Sequence, residues 1–186
     1  MMVVVVIVLF SNFISIEYFT KAKALDVYTT KNMVVSCDYT KIEIIKKFAT
    51  ENNITLEEAK KILFSSQKNE DRYAYSYRTI SKNVGYDTTL CFYTQGDGWN
   101  NYYAINKILS VSVKHNSKSF AGHVYSNIED NVTIYYDIEG NLLNQGSTTV
   151  SAGVNFDIGH GGGVNLGSSY STDVYAHISD LGRIVV

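Results

Sequence analysis

The spacing of apolar and polar positions changes character twice along the chain. Met2 to Phe10 is an unbroken apolar run, followed by a mixed stretch to Phe19 and the small-residue sequence Ala22-Lys23-Ala24. From Thr40 the apolar residues recur at helical spacing, with Ile42, Ile45, Phe48 and Ala49 on one face, then Leu56, Ala59, Ile62 and Leu63 on another. Each run opens on a capping box, Thr40 with Glu43 and Thr55 with Glu58, in which hydroxyl and carboxylate satisfy each other's backbone N–H groups. With Glu51-Asn52-Asn53-Ile54 between the runs, the pattern predicts a helical hairpin from about Thr40 to Phe64. Leu25 to Cys37 reads as irregular, and the polar stretch Ser65 to Asp71 reads as a linker. Helices this short are marginal alone, so they either dock on something or form a loosely ordered pro-like segment.

From Arg72 onward the period is that of strands. Tyr73, Tyr75, Tyr77 and Thr79 alternate with Ala74, Ser76, Arg78 and Ile80, and Thr88 to Gln95 is a compact β run closed by the turn Gly96-Asp97-Gly98. Further strands are expected at Tyr102 to Val113, Phe120 to Asn127, Val132 to Ile138, Thr148 to Ile158, Val164 to Tyr170 and Val174 to Ile178. Turn signals at Asn116-Ser117, Glu139-Gly140-Asn141 and Gly161-Gly162-Gly163 divide them. About eight short strands at this spacing predict a mainly β fold, an antiparallel β-sandwich preceded by the short helical hairpin.

The apolar run near the start is too short for a comfortable membrane span, and with Ala22-Lys23-Ala24 behind it reads as a signal peptide cleaved near Ala24. The expected organisation is therefore a signal peptide over 1–24, an irregular segment and helical hairpin over 25–71, and a β-sandwich domain over 72–186. A signal peptide usually opens with Lys or Arg, whereas this chain opens Met1-Met2-Val3; a start codon further upstream would supply the basic stretch. The competing reading of the run is a buried, Val-rich strand. Export makes a bridge between Cys37 and Cys91 chemically accessible, and over their 54-position separation the chain-entropy gain would be about 4 kcal/mol. Cys91 equally suits the role of a small buried hydrophobe in the apolar segment Leu90-Cys91-Phe92-Tyr93.

Composition strengthens the β reading: fifteen Tyr, thirteen Gly, no Pro and a single Trp suit strands and tight turns better than a helical bundle. Cleavage after Ala24 leaves 14 Lys and Arg against 17 Asp and Glu, a formal charge of -3. Nucleic acid is excluded as a partner, because phosphate binding needs a clustered basic surface. The helical hairpin has the outline of a helix-turn-helix, yet its second helix exposes Glu57, Glu58, Lys60 and Lys61, a mixed solvated face.

No complete catalytic constellation emerges. His160-Gly161-Gly162-Gly163 has the form of an esterase oxyanion-hole loop, but no Gly-x-Ser-x-Gly nucleophile elbow accompanies it, so a glycine-rich hairpin turn is expected. A thiol-dependent enzyme would need Cys37 or Cys91 beside His115, His123, His160 or His177, and Cys37 lies close to the start of the first helix, where a thiolate is favoured. The histidines lack the close spacing of a zinc site, and Asp157 with His160 makes at most half of one; no cofactor or metal is implied. Glu129-Asp130 falls in an expected loop, where solvation accounts for both carboxylates. The best binding candidate is the cluster Trp99, Asn100, Asn101, Tyr102 and Tyr103, because rings supply flat contact area and amides supply hydrogen bonds. Its competing reading places Trp99 as a cap on the sandwich core. The stretch Ser147 to Thr172 reads as an amphipathic hairpin, with Val150, Ala152, Val154, Phe156 and Ile158 on one face of its first arm. Such an arm fits a pore-forming hairpin or a core strand pair; the second arm alternates cleanly only from Val164 to Tyr170, which favours the core, with Val154 and Phe156 buried against the opposing sheet.

The succession of the helix pair around Asn52-Asn53-Ile54-Thr55-Leu56-Glu57-Glu58-Ala59, then Leu90-Cys91-Phe92-Tyr93, Ile105-Asn106-Lys107-Ile108-Leu109 and Gly146-Ser147-Thr148-Thr149-Val150 resembles uncharacterised small secreted proteins of Gram-positive bacteria. The resemblance implies export and a β-rich C-terminal domain, and it brings no active-site residues. The expectation from sequence is a secreted, non-catalytic sandwich binding a cell-surface glycan or protein. A membrane-active toxin or bacteriocin using the 147–172 hairpin is the first alternative, and a thiol enzyme the second. Export is expected to remove the leader, and detection of full-length protein in the cytosol with Met1 intact would count against it.

Overall fold

The computed structural model describes residues 28–30, 32–65, 75–99, 102–144, 149–150, 156–157, 162–166 and 173–186. Two short strands, β1 (Tyr28–Thr30) and β2 (Met33–Val35), precede helices α1 (Lys41–Asn52) and α2 (Leu56–Phe64). Then come β3 (Ser76–Asn83), β4 (Thr89–Trp99), β5 (Tyr102–Lys114), β6 (Ser119–Asp130), β7 (Thr133–Leu143), β8 (Thr149–Val150), β9 (Phe156–Asp157), β10 (Gly162–Leu166) and β11 (Val174–Val185). The larger sheet runs β1-β2-β3-β4-β5, with β8 and β9 both beside β5; the smaller runs β10-β6-β7-β11. All pairings are antiparallel. The mainly β sandwich with a preceding helix pair is the architecture expected from the pattern.

Between the sheets lies one apolar core. Leu90, Phe92, Ile105, Ile108 and Val111 face Phe120, Val124, Ile134, Ile138 and Leu142. The other face of the larger sheet is also buried: Tyr77, Cys91, Tyr93 and Leu109 pack under Ile44, Phe48 and Ala49 of α1 and Ala59 and Leu63 of α2. The molecule therefore has three layers, helices on a sheet on a sheet. Strands β3 to β5 are covered on both sides, and in β4 this is written as the unbroken apolar segment Leu90-Cys91-Phe92-Tyr93, all four residues of which are buried.

Both capping boxes form, with Thr40 and Thr55 accepting from the backbone N–H groups of Glu43 and Glu58 while those carboxylates accept from the cap backbone. Asn53 ends α1 in the left-handed conformation, with its N–H donated to the Ala49 carbonyl. The buried stripes differ from the expected ones: Ile44 rather than Ile42 faces the sheet, and Ile42 and Leu56 stand exposed at 65% and 51%. Which of the apolar positions on a helix is covered depends on how the helix is rotated against the sheet, and only docking fixes that.

Several expected turns lie inside strands. Gly96-Asp97-Gly98 belongs to β4, which continues to Trp99 opposite Tyr102. Gly96 is there because a β carbon would collide with the Ala104 carbonyl and the Tyr103 ring. Likewise Glu139-Gly140-Asn141 is internal to β7: Gly140 pairs with Gly122, and the ring of Phe120 occupies the space that two side chains would fill. Gly162 and Gly163 are the first two residues of β10. The segment expected to be irregular carries β1 and β2, which extend the larger sheet through β3.

The 147–172 stretch is not a self-paired hairpin in its described parts. Its first arm contributes β8 and β9 to the edge of β5, whereas β10, from the second arm, pairs with β6 in the other sheet. In the second arm Leu166 of β10 is buried in the inter-sheet core, as a strand with one face on that core requires. Val154 and the side chain of Phe156 lie outside the described residues. The core itself is directly testable: Phe92 is fully buried in it, and Phe92→Ala is expected to cost about 3–5 kcal/mol, read as a shift in the denaturant midpoint with an unchanged slope.

Candidate functional site

Places where titratable groups meet are where chemistry is sought first, and the tightest such cluster lies beneath α1. Glu51 accepts hydrogen bonds from Lys47 (2.6 Å), from Lys114 at the end of β5 (2.7 Å) and from the Tyr93 hydroxyl on β4 (2.6 Å). The Asn52 amide donates to the Phe48 carbonyl at 2.7 Å. Burial works to raise the Glu51 carboxyl, but the bonds from Lys114, Lys47 and Tyr93 outweigh it and hold the group below its ordinary range. Burial pushes the Tyr93 phenol far up, so it remains a hydrogen-bond donor. The cluster is a clamp that fastens α1 to the sheet.

The cysteines are both free thiols; Cys37 is half-buried and Cys91 buried. Cys91 receives the Ser81 hydroxyl at 3.5 Å, and burial raises its pKa. A thiol kept protonated beneath a helix is poorly suited to nucleophilic attack. Among the described residues no group of three or more His, Cys, Asp or Glu is placed to hold a metal. His160 and the side chain of Asp157 lie outside the described residues.

The aromatic cluster expected from sequence divides across the β4–β5 ladder. Tyr102 is 52% exposed and its hydroxyl accepts from the Asn131 amide in the β6–β7 turn at 3.0 Å. Tyr103 points the other way and is only 3% exposed. Its hydroxyl bonds Thr94 at 3.0 Å, and its ring carries the Arg78 guanidinium 4.5 Å from the centroid. Arg78, itself buried, binds Asp38 through Nε and Nη2 at 2.6 and 3.3 Å. Tyr103 is thus a correction: neighbouring strand residues face opposite ways, and this one closes the end of the core instead of lining a surface. Asn100, Asn101 and the side chain of Trp99 lie outside the described residues.

A second aromatic surface occupies the outer face of the smaller sheet. Tyr125 on β6 and Tyr135 on β7 meet edge to face with centroids 6.2 Å apart. Arg183 of β11 lies 5.7 Å from the Tyr135 centroid and grips Glu129 with two bonds of 2.7 and 2.8 Å. That pairing holds the Glu129 carboxyl below its usual range, and it corrects the expectation that Glu129 sits in a solvated loop, since β6 extends to Asp130. Along the same face His123 bonds Asn165 at 3.1 Å and His177 bonds Asn141 at 3.0 Å. Sequence reasoning passed over this surface, although Tyr at outward positions of two predicted strands, where small polar residues are cheaper to solvate, was a usable signal.

Fold and surface together define a three-layer sandwich with one sheet face sealed by helices and the other carrying ordered aromatic and polar side chains. Comparison with known proteins finds no family model, no curated protein and no solved structure that matches the chain.

The clamp yields a pH prediction. Because the Glu51 pKa is lowered on folding, its contribution is present above the ordinary carboxylate value of 4.5 and is lost as the pH falls through the depressed one. Glu51→Gln is expected to cost about 2 kcal/mol at neutral pH, and its deficit relative to wild type should close as the medium is acidified below that value. Denaturant titrations at a series of pH values measure this, and a deficit independent of pH would count against an ionised clamp.

Proposed function

We propose that the protein is an exported, non-catalytic binding module whose open sheet face takes a cell-surface polymer, a glycan foremost, or a protein outside the cell. The supporting observation is the braced pair Tyr125 and Tyr135 on the outer face of the smaller sheet, with Arg183 and Glu129 locked beside it. The exposed Tyr125 ring and the half-buried Tyr135 ring, held in fixed orientation, offer flat apolar area at little entropic cost, and the neighbouring carboxylates and amides supply the hydrogen bonds that sugar hydroxyls or a peptide backbone require. Tyr102 extends the same end of the molecule, linked through Asn131 to the turn that follows Glu129. Mixed charge on the face, Arg183 against Glu129, Asp137 and Glu139, suits a neutral ligand better than a polyanion.

Incubation of the purified protein with cell walls, glycan arrays and surface-protein extracts tests the reading. The expected result is retention on one of them, weakened by about tenfold or more when Tyr125 and Tyr135 are both replaced by Ala, with the circular dichroism spectrum unchanged. Absence of retention on every surface, with no partner in a pull-down, would sink the proposal.

A further inference from the structure

Sheet edges are normally guarded, because a strand with unpaired N–H and C=O groups on one side is a template for another strand; Lys, Pro, bulges or short length are the usual devices. Strand β11 has little of this protection. It is twelve residues long, pairs along one side with β7, and among the described residues forms the end of the smaller sheet. It contains neither Lys nor Pro, and its one irregularity, between Val174 and Ala176, lies at its start. Its two formal charges are used within the subunit, Asp180 accepting from the Tyr136 hydroxyl at 2.9 Å and Arg183 held by Glu129. Four of the large apolar side chains exposed among the described residues, Val174, Tyr175, Leu181 and Val185, lie on this one strand, with Leu181 at 67%. The opposite edge, β10, has only five residues.

We propose that β11 is the seam of a symmetric dimer, in which it pairs antiparallel with β11 of a second copy and joins two smaller sheets into one. The inference stands independently of the ligand proposed for the outer face. A two-fold axis perpendicular to the sheet keeps both outer faces on the same side, so only residues of equal parity can stand opposite each other. Among such registers, a centre at Asp180 opposes two carboxylates and a centre at Arg183 opposes two guanidinium groups. A centre at Gly182 sets Asp180 against Ile184. Centring on Leu181 puts the most exposed apolar residue of the strand against itself, Ile178 against Ile184, and Ser179 against Arg183. It also sets Asp180 against Gly182, which has no side chain to clash. This register pairs residues 176–186 with their counterparts, and its self-complementarity favours a second copy of the chain over an unrelated strand. The joined sheet would present two Tyr125–Tyr135 pairs on one surface, the geometry in which a repetitive polymer gains from bivalent contact.

Sedimentation velocity over a concentration series should show a monomer–dimer equilibrium, shifted to monomer by Leu181→Lys, which places two ammonium groups across the seam from an exposed position. In a Cys37→Ser background, Leu181→Cys should oxidise to a covalent dimer on a non-reducing gel, while Ser179→Cys, which faces Arg183 of the other copy, should not. This second pair of variants keeps the test decisive even where Leu181→Lys impairs folding. A monomer at every concentration, a dimer that survives Leu181→Lys, or equal cross-linking of both cysteine variants would overturn the proposal.

Discussion

Burial of the larger sheet on both faces is the constraint from which the rest of the structure follows. Strands β3 to β5 must present apolar side chains in both directions, so that Leu90 and Phe92 enter the inter-sheet core while Cys91 and Tyr93 meet the helices. Once one face is committed to the sandwich, the other would be a large exposed apolar surface unless covered. The helix pair supplies that cover through Ile44, Phe48, Ala59 and Leu63. Helices of nine and twelve residues gain their stability chiefly from this docking, since capping boxes and propensity alone leave such lengths marginal.

Tyrosine makes a doubly buried sheet workable. The residue fills a core with its ring and sends a hydroxyl to a polar partner. Tyr93 reaches Glu51 on α1, Tyr103 bonds Thr94, and Tyr136 reaches Asp180. These bonds cross between elements, so each fixes register or rotation as well as filling space. Among the described residues the buried charged side chain is Arg78, and it has partners on two sides, stacked on Tyr103 and bound by Asp38. An unpaired guanidinium there would carry a desolvation cost that the surrounding apolar contacts could not offset.

Asymmetry of the two outer faces then directs attention to function. Helices occupy the outer face of the larger sheet, and the smaller sheet leaves Tyr125, Tyr135, His123 and His177 on its surface in arrangements already fixed by Arg183, Glu129, Asn165 and Asn141. Side chains held before a ligand arrives lose less freedom when it binds. The same face continues onto β11, the last strand of the smaller sheet among the described residues.

Local chemistry determined a good deal in advance. Thr40 with Glu43 and Thr55 with Glu58 marked the helix starts, because a capping box is complete within four residues. Alternation along Phe120 to Asn127 found β6, because one strand face on a core writes a period of two into any sequence. What failed required knowledge of distant partners. Gly96 and Gly140 resembled turn residues, yet they serve close packing against Tyr103 and Phe120 in neighbouring strands. The two arms of 147–172 resembled a hairpin, yet pairing with β5 or β6 was settled by contacts far away in sequence. Tyr102 and Tyr103 looked alike as binding residues until the strand's orientation sent one outward and the other inward. Identity and spacing of residues determine which faces exist, whereas the face that is covered depends on which layer packs against it, and that is a property of the tertiary structure alone.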